Sequence, residues 1–318
     1  MNWLMRRAAF LPRNNGGSDS GSSELRYRIG IVADVHSGYS QYNYEAHFPA
    51  ALQNLYNRGA EYIVSCGDQA NGESNWPGYI SVIEESPFTR DQVYESIGNH
   101  EYDGFTAFSD AWTLFRQYAR NGKLSGGTGV PYYSEFIGGD YFIFLQIEAN
   151  YPNNYDCFST AQLDWLQSEL DEHYDKGYNV WLIEHAPFYG WGAGDIISSP
   201  LYPRAMDMSF AGHQRLKSII EAHPNIIMCH GHTHIRFEDI ASGVTVYAPK
   251  GSQGGCHQFH VPSITALKYV SGTSLSVDTS VGASQCWFCE VYTDKIVMQG
   301  INAYTGEDIA GIVYTITL

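Results

Sequence analysis

The sequence predicts an α/β fold that forms one domain with two β-sheets. Strand-length apolar runs alternate with helical patterns through the first two thirds of the chain, whereas the last third shows short strand patterns and no helical periodicity. One Gly/Ser-rich linker is visible, at residues 14–23, and no second linker divides the remainder. We therefore expect a flexible arm and linker over residues 1–24 and a single domain over residues 25–318.

The first half of the domain has a clear order of elements. Short apolar runs predict buried strands at residues 27–33, 62–66 and 93–97. Between and after these runs, apolar residues recur at spacings of three and four, which predicts helices at residues 46–56 and 105–118.

The second half begins with a hairpin and becomes rich in strands. Residues 132–137 and 141–147 flank Gly138-Gly139-Asp140, which predicts a hairpin turn. Ser159 and Gln162 form a capping-box pattern that opens a helix ending near Gly177. The remaining elements are a helix around 216–220 and strands at 180–183, 226–229, 244–248, 288–293, 295–299 and 312–318.

Composition argues against several classes of protein. The net charge of −16, from 34 acidic and 18 basic residues among 318, gives no basic face for a long nucleic acid. No apolar stretch approaches the roughly 20 residues that span a bilayer, and the apolar run after Arg6 and Arg7 is too short for a secretory signal. These features slightly favour the cytoplasm. Cys286 and Cys289 form a lone C-x-x-C, for which we expect a structural role.

Five polar segments each begin where a predicted strand ends. Because ligands collect at the carboxyl ends of the strands in open α/β sheets, these segments can converge on one point. The segments are Asp34-Val35-His36, Gly67-Asp68, Gly98-Asn99-His100-Glu101, His185 and Gly231-His232-Thr233-His234.

The residue types of these segments indicate a metal centre. Carboxylate oxygen, amide oxygen and imidazole nitrogen, without thiolate, suit Mn, Fe, Zn or Co. Asp68 follows a glycine and can bridge two ions. His232 and His234, which are two residues apart, can supply one imidazole to each ion. Two ions about 4 Å apart clamp a phosphoryl group and lower the pKa of a bound water toward ~7.

Taken in order, the segments resemble the calcineurin-like metallophosphoesterase superfamily, over residues 28 to about 248. The resemblance implies two mostly mixed sheets packed as a sandwich with flanking helices. It also implies hydrolysis of a small phosphate ester by a metal-bound hydroxide, with His100 protonating the leaving alkoxide. The implied ligands are Asp34, His36 and His234 for the first ion, Asn99, His185 and His232 for the second, and Asp68 as the bridge.

The sequence departs from two branches of that superfamily at Asn71 and Gly72. Purple acid phosphatases carry a tyrosine ligand at the position of Asn71, and protein Ser/Thr phosphatases carry an Asp-Arg pair at the two positions. The carboxylate that orients His100 is therefore open between Glu101 and Asp103. Without the arginine, a phosphodiester is favoured over a monoester.

Aromatic residues populate the loops expected around the cleft, at residues 37–44, 71–76, 188–203 and 251–259. Uncharged aromatic walls suit a nucleobase, a sugar or an organic alcohol. The expected substrate contacts are Trp76, Tyr189 and Trp191, with Tyr39 and Tyr42 among the other aromatic residues of these loops.

Two alternatives remain open at this point. The chain could be a non-enzymatic, metal-stabilised scaffold docked through its N-terminal arm, although such a scaffold has no need of His100 beside its ligands. It could also be a nuclease, since the acidic balance opposes long nucleic acids but not short oligonucleotides or cyclic nucleotides. The sequence does not indicate an oligomeric state.

Overall fold

Two β-sheets lie face to face in the computed structural model, which describes residues 23–39, 42–125, 129–150, 154–189, 205–241, 256–271 and 274–318. The predicted α/β fold with two mixed sheets is confirmed. In chain order the strands are β1 (Leu25–Val32), β2 (Tyr62–Ser65), β3 (Val93–Glu95), β4 (Tyr133–Ile137), β5 (Asp140–Phe144), β6 (Val180–Ile183), β7 (Ile227–His230), β8 (His257–His260), β9 (Lys268–Ser271), β10 (Ser274–Val277), β11 (Gln285–Tyr292), β12 (Lys295–Asn302) and β13 (Asp308–Thr317).

The first sheet has six strands in the order β13-β12-β11-β1-β2-β3. Strands β1, β2 and β3 run parallel, and β11 joins β1 in antiparallel register. The second sheet has the order β4-β5-β6-β7-β8, in which β5 to β8 are parallel. Strands β9 and β10 form a separate two-stranded ribbon.

Buried apolar side chains from both sheets form the layer between them. Ile31 and Val64 come from the first sheet, and Phe144 and Ile183 come from the second, all within one cluster. A second cluster packs the helices onto the sheets. The helices are α1 (Tyr44–Asn57), α2 (Trp76–Glu85), α3 (Phe108–Tyr118), α4 (Thr160–His173), α5 (Ala211–Ala222) and α6 (Phe237–Ala241).

Local sequence signals account for several element ends. The Ser159 hydroxyl accepts a hydrogen bond from the backbone of Gln162 at the start of α4, as the capping pattern predicts. Gly138 and Gly139 both have positive φ, which the tight turn between β4 and β5 requires. Helix α3 begins at Phe108 rather than at residue 105, because Phe105 belongs to the preceding turn, where its amide donates to Tyr102.

Helix α2 was not predicted, and the loop expected at residues 71–76 leads directly into it. Pro77 lies in its first turn, where the missing N–H of proline costs nothing. Trp76 stacks on Tyr118, with ring centroids 5.6 Å apart, and so fixes the start of the helix in the core. The strand expected at residues 244–248 lies outside the described residues.

The six cysteines are free and buried. Cys286 and Cys289 lie on β11 three residues apart, and each belongs to a different hydrophobic cluster. Residues three apart on a strand point to opposite faces, so this pair does not form a chelating site. Among the described residues, no helix has the length and apolar character that a bilayer crossing requires.

Candidate metal centre

The five polar segments predicted to converge leave β1, β2, β3, β6 and β7 at one edge of the two sheets. Backbone hydrogen bonds join the loops to one another as they leave. The amides of Asp34 and His36 donate to the carbonyls of Gly67 and Asp68, at 3.0 and 2.9 Å. In the second sheet, the amide of Gly231 donates to the carbonyl of His185 at 3.0 Å.

The backbone of the centre is unusual in its φ angles. Left-handed backbone is uncommon for residues other than glycine and costs about 1–3 kcal/mol each, so it persists where the surrounding structure enforces it. Five of the predicted ligands adopt it: Asp34 (φ 54°), His36 (53°), Asp68 (56°), His232 (72°) and His234 (61°).

Glycines precede three of the ligand segments because no side chain fits there. A Cβ on Gly67 would lie 2.4 Å from His185 Nδ1, and one on Gly98 would lie 2.2 Å from Asp68 Oδ1. A Cβ on Gly231 would lie 2.6 Å from Asp34 Oδ2. Cβ contacts shorter than 3.0 Å essentially never occur, so each glycine lets one loop pack directly against a ligand from another.

One group of donor atoms collects around Asp34. His234 Nε2 lies 3.0 Å from Asp34 Oδ1, and His36 Nε2 lies 3.1 Å from His234 Nε2. His36 Nε2 is also 3.8 Å from Asp68 Oδ2. The donor atoms of Asp34, His36, Asp68 and His234 all lie within 4.8 Å of one another, and all four residues are buried.

A second group shares Asp68 with the first. His185 Nε2 lies 3.3 Å from Asp68 Oδ2 and 3.2 Å from Asn99 Oδ1. His232 Nδ1 lies 3.2 Å from His185 Nε2. The donor atoms of Asp68, His185 and His232 fall within 4.8 Å of one another. The structure thus brings all seven predicted ligands together, with Asp68 between the two groups.

Hydrogen bonds on the far side of three imidazoles fix which nitrogen faces the centre. His185 Nδ1 donates to the carbonyl of Cys66 at 2.7 Å, and His234 Nδ1 donates to that of Ala266 at 3.0 Å. His36 Nδ1 lies 3.1 Å from the Asn71 side-chain oxygen. A neutral imidazole that donates through Nδ1 keeps its lone pair on Nε2. Three Nε2 atoms therefore face the centre. Despite burial, the charges of Asp68 and Asp34 raise the pKa of His185 to about 10, so its Nε2 holds a proton that a cation there would displace.

The burial of the centre and the pKa values of its side chains also indicate a site for cations. Burial lowers the pKa of His36 to about 3, so its imidazole is neutral at pH 7. The Asp68 carboxyl is buried, yet the surrounding histidines hold its pKa well below the ordinary value. Among the described residues, Asp68 Oδ2 and Asn99 Nδ2 have no hydrogen-bond partner. A buried carboxylate that belongs to both groups of donor atoms suits a bridge between two cations.

His100 lies beside the centre rather than in it. Its amide donates to Asp68 Oδ1 at 2.8 Å, and its Nδ1 lies 2.7 Å from Asp103 Oδ2. Burial alone would lower the pKa of His100, but the negative charges of Asp68 and Asp103 outweigh burial and raise it. The orienting carboxylate left open by the sequence is therefore Asp103. Glu101 instead accepts from the amides of the neighbouring loops at residues 68, 70 and 98.

Asn71 is the residue of this region that sequence reasoning underrated. Its side-chain oxygen accepts from His36 Nδ1, and its amide nitrogen lies 3.0 Å from His100 Nδ1 and 3.4 Å from Asp103 Oδ2. One side chain therefore contacts both a predicted ligand and the predicted general acid. Its position three residues after Asp68 was the available signal, but spacing does not show which neighbours an amide contacts.

The predicted aromatic contacts have separate outcomes. Trp76 is 1% exposed and packed in the core, so the prediction that it lines the substrate cleft is wrong. Tyr189 is 49% exposed, and Trp191 lies outside the described residues. Tyr42 lies 5.2 Å from the His36 ring, and Tyr39 lies 6.0 Å from the His100 ring, measured between centroids.

Comparisons with known proteins agree with this geometry. The family model described as calcineurin-like phosphoesterase matches residues 27–236. A search of curated proteins found no match. Among solved structures, a dimetal phosphatase from Danio rerio is similar with a TM-score of 0.59 and 14% identity, over 92% of this chain and 99% of that one.

Two further structures are similar at comparable levels. Purple acid phosphatase from yellow lupin (Lupinus luteus) seeds gives a TM-score of 0.55 at 14% identity, over 92% of this chain and 53% of that one. PhoD gives 0.57 at 13% identity, over 93% of this chain and 68% of that one. At these identities the structural similarity supports the fold.

Proposed function

The chain belongs to the calcineurin-like phosphoesterase family, a family of metal-dependent phosphoric ester hydrolases, and from that premise we propose that it hydrolyses a small phosphodiester at two metal ions. The observation that carries the proposal is the buried Asp68 carboxylate, which belongs to both groups of converging donor atoms. A scaffold would have no use for such an arrangement beside an oriented histidine.

The ligand side chains would divide around Asp68. Asp34, His36 and His234 would hold the first ion, and Asn99, His185 and His232 the second. Mn, Fe, Zn and Co all suit this oxygen and nitrogen set. When bound, such ions polarise the phosphoryl oxygens and supply a hydroxide nucleophile near neutral pH.

His100 would act as the general acid. Because its Nδ1 donates to Asp103, the opposite nitrogen is the one that can give a proton to the leaving alkoxide. The raised pKa keeps that proton available near neutral pH. Asp103 would hold the ring in this orientation by accepting from Nδ1, and the Asn71 amide, 3.4 Å from Asp103 Oδ2, would help to hold that carboxylate in place.

The preference for a diester follows from the charges near the centre. In the described part of the chain, no arginine pairs with a member of the centre, so the bidentate clamp that a phosphomonoester dianion favours is missing there. Burial lowers the pKa of His234, and the charge of Lys268 adds to that lowering, but a single ammonium is a weaker phosphate ligand than a guanidinium.

The test is hydrolysis by purified protein with added Mn²⁺. We expect bis(4-nitrophenyl) phosphate to be cleaved with a higher kcat/KM than 4-nitrophenyl phosphate. Asp68→Asn should lower kcat at least about 1,000-fold, because it removes the bridging carboxylate. His100→Asn should lower kcat by about 100- to 10,000-fold while Mn²⁺ binding is retained.

Three results would each contradict a part of the proposal. If the protein binds Mn²⁺ but shows no metal-dependent hydrolysis, the proposed enzymatic function is wrong and the scaffold alternative is favoured. A higher kcat/KM for the monoester would remove the diester preference alone. Unchanged kcat in His100→Asn would transfer the role of general acid to another group.

A further inference from the structure

A short segment late in the chain, residues 263–266, packs against the first group of donor atoms. All four of its residues are buried. The amide of Ile264 donates to the carbonyl of Ala33 at 3.1 Å, which places the segment beside the loop that leaves β1. The segment lies beyond residue 236, where the family match ends, and none of its residues was predicted to belong to the centre.

The Ser263 hydroxyl uses its full hydrogen-bonding capacity in this place. It donates to the carbonyl of Asp34 at 2.8 Å and accepts from the amides of Thr265 and Ala266 at 3.1 and 2.8 Å. A hydroxyl has one proton and two lone pairs, so this set of three partners is complete. Ser263 therefore closes its own segment into a turn and joins that turn to the backbone of a predicted ligand.

Thr265 and Ala266 extend the contact along the same loop and to a second ligand. The Thr265 hydroxyl lies 2.9 Å from the carbonyl of Val35 and 3.2 Å from that of Asp34. The carbonyl of Ala266 accepts from His234 Nδ1 at 3.0 Å and so orients that imidazole. The segment thus contacts the Asp34 loop and the His234 ring at the same time.

The loop held by these hydroxyls carries two strained residues. Asp34 and His36 have left-handed backbone, with φ of 54° and 53°. For residues other than glycine this conformation costs free energy, and it persists where neighbouring groups enforce it. Because the hydroxyls of Ser263 and Thr265 donate to carbonyls of this same stretch, they stabilise a conformation that the chain would otherwise leave.

From these contacts we infer that Ser263 and Thr265 are positioning residues for the first ion, because they hold the Asp34 loop in the conformation that binds metal. The second ion does not depend on them in this way, since its ligand His185 is oriented by the carbonyl of Cys66. The inference rests on the proposed two-ion centre and adds which of the two ions this part of the chain controls.

The deciding variants are Thr265→Val, which removes the hydroxyl, and Thr265→Ser, which keeps it. Each protein is freed of metal and titrated with Mn²⁺, and binding is followed by calorimetry and by the electron paramagnetic resonance of free Mn²⁺. Loss of a group that orients metal ligands costs about 10- to 100-fold in affinity, so Thr265→Val should raise the Kd of one ion by about tenfold or more. Thr265→Ser should bind both ions as the wild type does. Ser263→Ala should weaken the same ion at least as much as Thr265→Val.

Variants of the ligands identify which ion is weakened. His185→Ala removes a ligand of the second ion, and His36→Ala removes a ligand of the first. Adding Thr265→Val to His185→Ala should weaken the remaining ion by the same factor as in the otherwise wild-type protein. Adding it to His36→Ala should leave the Kd of the remaining ion unchanged.

Tyr133→Phe is the control for the loss of a buried hydroxyl elsewhere. The Tyr133 hydroxyl donates to the carbonyl of Glu95 at 2.9 Å, and no ligand takes part in this bond. This variant should bind both Mn²⁺ ions as the wild type does. Urea denaturation of each metal-free variant shows that the titrated protein is folded.

The outcomes separate this inference from the proposed function. A Thr265→Val protein with the Kd values of the wild type overturns the inference and leaves the proposed function standing. Equal weakening by Thr265→Ser, or equal weakening of both ions, also overturns it, because packing or general support of the centre then explains the effect. A wild type that binds two Mn²⁺ ions but hydrolyses no ester overturns the proposed function alone.

Discussion

Two regions of this molecule bury charged groups, and they differ in how the buried polar atoms are hydrogen-bonded. One is the metal centre around Asp68. The other surrounds Arg120, which is 2% exposed and lies just after α3. Both use left-handed backbone, at Asp68 with φ 56° and at Arg120 with φ 50°. Backbone strain therefore does not distinguish the functional region from the structural one.

The difference lies in whether the buried polar atoms have partners. Arg120 donates from Nε to Glu135 at 2.6 Å and from Nη1 to the carbonyl of Val93 at 2.9 Å, and its guanidinium lies 3.7 Å from the Tyr94 ring centroid. Its amide donates to the buried Glu95 at 2.9 Å. Around Asp68, by contrast, Oδ2 lies 3.3 Å from His185 Nε2 without hydrogen-bond geometry, and the donor atoms of two groups converge on this carboxylate.

This contrast separates buried charges that stabilise the fold from buried charges that indicate a binding site. A charge whose partners all come from the chain stabilises the fold, and it costs several kcal/mol to disturb. A buried carboxylate on which imidazoles from several loops converge without hydrogen-bond geometry indicates a site that a bound cation completes. Three changes to the protein or its metal content test this contrast, with effects that we expect to decrease in order.

Replacing Arg120 by methionine should destabilise the fold without changing the chemistry. We expect a loss of about 3–5 kcal/mol in the free energy of unfolding, because the carbonyl and carboxylate partners of Arg120 lose a buried donor. Urea denaturation measures this, and kcat/KM per folded molecule should stay at the wild-type value. Arg215→Met is the control: Arg215 pairs with Asp164 on the surface, and its loss should cost about 0–1 kcal/mol.

Two outcomes would contradict this separation of the Arg120 region from the metal centre. If Arg120→Met were as stable as Arg215→Met, the Arg120 network would not be the structural charge site described here. If it lost activity in the folded state, the two regions would not be independent.

Adding Mn²⁺ should stabilise the chain through the centre alone. Metal that binds only the folded state at 100-fold above its Kd adds about 2.7 kcal/mol to the free energy of unfolding. Arg120→Met should keep this increment in full, and Asp68→Asn should lose most of it. Thermal unfolding with and without Mn²⁺ measures the increment, and an undiminished increment in Asp68→Asn would show that the metal binds elsewhere.

The same contrast explains how much the sequence could reveal. The convergence of the predicted ligands was predictable, because each of them follows an apolar strand, and parallel strands in one sheet end at a shared edge. Asp34, Asp68 and His185 need no knowledge of side-chain contacts to be placed there. The two-sheet α/β fold was predictable for a similar reason, since strand and helix periodicities differ.

Features set by tertiary packing could not be predicted in the same way. Trp76 carries the same local signal whether it faces a cleft or a core, and only its stacking on Tyr118 decides between them. The choice of Asp103 over Glu101 as the partner of His100 depends on which way a 3₁₀ turn at His100–Tyr102 directs two neighbouring carboxylates. The Arg120 network was missed because its partners lie from 15 to 29 residues away in the chain.

The smallest effect concerns the pH dependence of stability at Glu95. Burial raises the pKa of Glu95 to about 7 in the fold, against 4.5 for an ordinary glutamate, despite the hydrogen bond from Arg120. The folded state therefore holds a proton that the unfolded state releases, so this contribution is fully present below pH 4.5 and is lost as the pH rises through 7. At 1.36 kcal/mol per pKa unit, the loss between pH 5.5 and 8 is about 2 kcal/mol.

Glu95→Gln keeps an acceptor for the Arg120 amide but cannot ionise, so its free energy of unfolding should fall by about 2 kcal/mol less than that of the wild type over this range. Parallel pH slopes for the two proteins would mean that Glu95 is ionised in the fold throughout and that the Arg120 network, like a metal, supplies full compensation for a buried carboxylate.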